Sequence, residues 1–119
     1  MVTVSEHVMD GASLVRVVGD LDLDDLPELR EVLQTALARH PWVIVDLSAA
    51  GIIGSVALSP LLAATQSARR LGGDVLLASP SPLVRTVLRG ARLDTAFRSF
   101  DTVPQAMSAA LSVTGATAS

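Results

Sequence analysis

The chain has 119 residues, half of them hydrophobic, and a net charge of −3 from 9 arginines and 12 carboxylates, which suits one domain around one core and is too little for two. The arginines form no basic run and the aromatics are limited to Trp42, Phe97 and Phe100, so nucleic acid is offered neither an electrostatic footprint nor a stacking platform. No apolar run approaches the ~18 residues of a membrane span, Met1–Asp10 lacks the basic start and apolar core of a signal peptide, and without cysteine there is no disulfide or thiol nucleophile, a composition that points to the cytoplasm.

Val2, Val4 and Val8 mark a first strand and Leu14 to Val18 a second, joined through Asp10-Gly11. An Asp-Gly pair between apolar runs predicts an antiparallel hairpin, because its tight turn needs positive φ angles. An acidic stretch, Asp20 to Asp25, then leads into Leu26, Leu29, Val32, Leu33, Ala36 and Leu37, the stripe of an amphipathic helix. Asp25 is expected to cap this helix, with Pro27 in its first turn and Glu28 completing a capping box, and His40-Pro41 ends it. The acidic residues read as a solvated helix entrance. Alternate side chains point to opposite faces, which does not suit a metal site.

Val43, Ile44 and Val45, closed by Asp46, form an apolar run suited to a strand buried on both faces of a parallel sheet. The small residues Ser48, Ala49, Ala50, Gly51 and Gly54 predict a tight turn after it. Ser55 emerges where a helical pattern of Leu58, Leu61, Leu62, Thr65, Ala68 and Leu71 begins. A hydroxyl at a helix start stands where added negative charge is tolerated. It is also among the commonest N-caps. Ser59-Pro60 offers a second helix start, one turn later, which leaves Ser55 in a loop.

Gly72-Gly73 stops that helix, and Asp74 to Ser79 reads as another buried strand. Ser81-Pro82 opens a short helix through Val84 and Leu88 to Gly90. Ala96 to Phe100 is expected to be the last strand, and a final helix runs from Thr102, with Gln105 at capping-box spacing, to Leu111. The fold class is therefore α/β: a single domain over residues 1–112 with a mixed β-sheet of about five strands packed against about four helices, and a disordered tail over residues 113–119.

In this order and spacing, Gly19-Asp20-Leu21-Asp22, Val45-Asp46-Leu47-Ser48, Ile53-Gly54-Ser55-Val56-Ala57-Leu58, Gly72-Gly73 and Leu88-Arg89-Gly90 with Leu93 resemble the STAS domain of bacterial anti-sigma factor antagonists. The resemblance covers nearly the whole chain. It implies a non-enzymatic regulator of transcription that binds an anti-sigma factor with serine-kinase activity and is switched by phosphorylation of the serine at the start of the second helix. On that reading Ser55 is the phosphoacceptor, and Asp22, Gly54, Ser55, Val56 and Ala57 form the partner surface. The family's loop reads Asp-Ser-Ser-Gly where this chain has Gly54-Ser55-Val56-Ala57. The altered loop suits a rival, a docking subunit of a larger signalling or transporter-associated assembly, and the sheet edge at Asp46, where open α/β sheets bind ligands, keeps a second in view, a small-molecule or nucleotide sensor.

Catalysis finds little footing. No Gly-x-Ser-x-Gly elbow or Walker-type Gly-Lys pair is present. A triad of Ser55, His40 and Asp46 fails on distance, since His40 stands at the far end of the strand that carries Asp46, and at ~3.3 Å per residue the separation is roughly 20 Å. No metal or other cofactor is expected.

Overall fold

The computed structural model describes residues 2–118, with side chains described through Ser112. Strands β1 (Thr3–Met9) and β2 (Ala12–Leu21) form the expected antiparallel hairpin, with Gly11 at φ +94° supplying the turn. Helix α1 (Leu26–Arg39) leads to β3 (Trp42–Ile53), α2 (Leu58–Arg70) to β4 (Asp74–Ala78), and α3 (Pro82–Gly90) to β5 (Arg98–Phe100); α4 (Val103–Ala118) follows. The sheet order is β1-β2-β3-β4-β5, and every pairing after the hairpin is parallel. The expected tail, residues 113–119, lies outside the residues whose side chains are described.

Alternation along the strands produces two cores. Val4, Val15, Val17, Val43, Val45, Leu47, Val75 and Leu77 face α1, α2 and α3, which return Leu29, Leu33, Leu61, Ala68, Val84 and Leu88. Ile44, Leu76 and Ala78 face the opposite way, where Trp42 and the alanines Ala106 and Ala110 of α4 complete a smaller cluster. Trp42 to Leu47 are consequently all buried, as the continuous apolar run predicts for a strand covered on both sides.

Two helix caps match their sequence signals. The Val84 N–H donates to Ser81 Oγ at 3.2 Å, and the Gln105 N–H to Thr102 Oγ1 at 3.2 Å. At α1 the expectation is corrected. A short 3₁₀ turn, Leu23–Asp25, precedes the helix, and Asp25 makes no side-chain cap to α1. Its Oδ2 instead accepts from the Asp22 N–H at 2.8 Å, because the turn brings the carboxylate back over its own start.

A larger correction concerns β3. The residues expected to turn tightly after Asp46 continue as strand to Ile53, paired with a β2 that also runs on to Leu21. From Arg16↔Asp46 to Val18↔Ala49, β2 advances two residues and β3 three, and the same offset recurs from Gly19↔Ala50 to Leu21↔Ile53. Each offset is a bulge on β3, which locally bends and twists the strand. Small side chains at Ser48 to Gly51 accommodate this bending while the ladder continues. The last strand is also shorter than expected, beginning at Arg98 rather than at Ala96.

Candidate functional site

Leu21 and Ile53 are Cα partners, so β2 and β3 leave the sheet side by side. Each then enters one 3₁₀ turn, Leu23–Asp25 after Asp22 and Ser55–Ala57 after Gly54, and each turn opens into a helix. In the first the Asp25 N–H donates to the Asp22 carbonyl at 3.0 Å, and in the second the Ala57 N–H donates to the Gly54 carbonyl at 3.1 Å. Asp22 and Ser55, 33 positions apart in the chain, thus stand at the ends of neighbouring strands.

Ser55 is exposed and opens the turn rather than capping α2. Helix α2 begins at Leu58, where the apolar pattern begins, with Ala57 rather than Ser55 or Ser59 at its N-cap. Pro60 is its third residue and is buried. A missing N–H there costs nothing, since the first four N–H groups of a helix have no partner within it. Gly54 has φ −72° and ψ 160°, extended backbone open to any residue, and a Cβ added there meets only Val56 Cγ2, at 3.8 Å. The backbone therefore accepts an aspartate at this position.

Around Ser55 the surface is apolar. Val56 is 46% exposed, Ile52 61% and Leu23 66%, a grouping that the sequence reading did not identify. Ala57 leaves the expected surface, because it has no exposed area and packs in the main core. Asp20, Asp22 and Asp24 lie on the segment that carries Leu23, and no ion pair among the described residues engages them. Asp20 has a second task that the sequence reading also missed. Its Oδ1 accepts the Ile52 N–H at 2.7 Å and occupies the space where Gly51 lacks a Cβ, holding the end of β3 to β2.

The remaining polar candidates stand apart from this surface. Asp46 is buried in β3, where Oδ1 accepts the Ser48 N–H at 2.9 Å and Oδ2 lies 4.0 Å from Arg16 Nε. His40 Nδ1 accepts the Trp42 N–H at 3.1 Å, at the start of β3 and so at the opposite end from Ser55. His7 pairs with Ser5 on β1 at 3.1 Å. Among the described residues no group of three His, Asp, Glu or Cys side chains could hold a metal ion, and no helix is long and apolar enough to cross a membrane.

Comparison with known proteins places this geometry among relatives. The anti-sigma-F factor antagonist RsfB of Mycobacterium tuberculosis is 31% identical over 109 residues, covering 89% of this chain and 85% of its own. An anti-sigma factor antagonist from Mycobacterium paratuberculosis, known as a crystal structure, superposes with a TM-score of 0.83 at 28% identity, covering 92% of this chain and 94% of the other. The anti-sigma factor antagonist SpoIIAA in its unphosphorylated form shares the fold, with a TM-score of 0.77 at 19% identity over 89% of this chain and 94% of its own. The STAS domain model matches residues 3–106, from the first strand into the last helix, and the protein accordingly belongs to the STAS domain family.

Proposed function

We propose that the chain is an anti-sigma factor antagonist, acting in the cytoplasm, that docks an anti-sigma factor with serine-kinase activity through Asp22, Leu23, Ile52 and Gly54 to Val56, and that phosphate on Ser55 ends the contact. The relative at 31% identity is itself named an anti-sigma-F factor antagonist. The observation that carries the reading is Ser55, an exposed hydroxyl that follows the exposed Ile52 and precedes the exposed Val56 at the end of β3, beside the end of β2 that leads to Asp22 and the exposed Leu23. A phosphate adds about −1.5 to −2 charges. Placed here it meets like charge from Asp22 and must lose water against apolar groups if the partner is to stay bound. The fold tolerates it, because the turn leads into a helix start.

A second reading, a fixed dock with no phosphate switch, is favoured by Gly54 and Val56, which stand where the family's loop carries an aspartate and a second serine. Affinity capture from lysate of the native cells, with wild-type, Ser55→Ala and Ser55→Asp chains as paired baits, separates the two. Under the switch reading wild type and Ser55→Ala recover an ATP-binding partner, Ser55→Asp recovers at least tenfold less, and ATP transfers phosphate to the wild type alone. Gly54→Asp then accelerates the transfer. Equal recovery of one partner by all three baits, with no phosphate transfer, establishes the fixed dock. Recovery of no anti-sigma factor by any bait sinks the switch reading, and recovery of no partner at all sinks both.

A further inference from the structure

Between α3 and β5, two strands across the sheet from β3, lies an open cavity of about 340 Å³ lined by Arg85, Leu88, Arg89, Asp94, Phe97 and Ser99. Its size falls within the roughly 300–1,000 Å³ of small-molecule sites. Its floor is apolar, for Leu88 and Phe97 are each 3% exposed and belong to the main core. Two guanidinium groups stand above that floor. Arg85 and Arg89 are four residues apart on α3 and so share one face of the helix.

The charges at this place run against those of the chain. Residues 85–98 hold four arginines and one aspartate in a protein whose net charge is −3. Arg89 makes no ion pair or side-chain hydrogen bond among the described residues. Arg85 pairs with Asp101 at 3.2 Å, but the Asp101 side chain is 81% exposed, and such a surface pair is weak enough for a bound anion to replace. The Ser99 hydroxyl and the Asp94 carboxylate add an acceptor side to the wall.

We propose that this cavity binds a small molecule with an anionic head group, phosphate or carboxylate, and an apolar ring-sized body. The head lies against Arg85 and Arg89, which present planar forks matched to either anion. The body covers Leu88 and Phe97. The site is independent of the Ser55 surface and of the antagonist reading.

Titration of the full-length chain by amide NMR tests this, with phenyl phosphate, benzoate and benzyl alcohol as probes. At least one of the two anions is expected to shift amides of α3, β5 and the segment between them, half-saturating below about 1 mM, a free energy near −4 kcal/mol. Benzyl alcohol, which keeps the ring and lacks the charge, leaves them unmoved. Comparing the two anions identifies the head group. Arg89→Gln and Arg85→Gln each weaken binding at least tenfold, Arg70→Gln on α2 has no effect, and Ser55→Asp binds as wild type does. Absence of saturable shifts with both anions, equal binding by the Arg89→Gln and Arg85→Gln chains, or shifts spread over arginines elsewhere on the molecule would overturn the proposal.

Discussion

Asp20 and Gly51 form a pair that neither residue announces alone. The carboxylate crosses from β2 into the space left by the missing Cβ and takes the Ile52 N–H at 2.7 Å. Gly51→Ala drives a methyl group into that carboxylate, displaces Asp20 and breaks the bond. The expected loss is about 1–3 kcal/mol in urea unfolding. Much of that loss should disappear in an Asp20→Ala background, where the methyl meets no carboxylate, and a double-mutant cycle measures the coupling. Purely additive effects would show that the two residues act separately. Sequence reading placed Asp20 in a solvated helix entrance because its hydrogen-bond partner lies 32 positions away, past one bulge and within a second, whose positions only the paired strands define.

At the level of elements, the α3 terminus carries a residue unsuited to its backbone. Arg92 has φ +59°, the left-handed region, in a closing turn where the Leu93 N–H donates to the Leu88 carbonyl at 2.8 Å. Glycine is the usual occupant of such a position, and a side chain there costs roughly 1–2 kcal/mol. Arg92→Gly should therefore raise stability by about 1 kcal/mol, read as a higher urea midpoint at unchanged m-value. A lower midpoint would mean that the arginine side chain makes contacts outweighing its backbone strain. The helices were legible in the sequence because an apolar stripe at helical spacing demands a face to cover. The long β3 was not. Ser48 to Ile52 carry small or exposed side chains, and their strand character comes from the ladder with β2 rather than from local preference.

For the molecule as a whole, α4 alone supplies the helical cover for the second sheet face among the described residues, through the buried alanines Ala106 and Ala110 with Val103 and Met107 partly buried beside them. Ala106 and Ala110 have no exposed area, so the helix lies close against Ile44, Leu76 and Trp42. Ala106→Asp puts an uncompensated charge into that contact, with an expected loss of at least about 3 kcal/mol. Trp42 is the chain's one tryptophan and is 8% exposed, so its emission should shift to the red as α4 lifts. Ser108→Asp, exposed on the same helix, should change neither quantity. A Trp42 spectrum unchanged by Ala106→Asp would show that the second core does not depend on this packing.

By itself the sequence determined the α/β class, the element order, the hairpin and two of the helix caps, because each rests on local signals: periodicity, turn chemistry and capping residues within a few positions of one another; Asp22 and Ser55 were nominated by the family resemblance of the segments that carry them. The tertiary structure alone decided that β2 and β3 run on together past Asp46, that Asp22 and Ser55 leave the sheet side by side, and that Ala57 turns inward while Leu23 and Ile52 face out. Those outcomes depend on strand register. Register is set by the packing of whole faces against helices that are distant in the chain, and one bulge reverses which side of a strand each later residue presents.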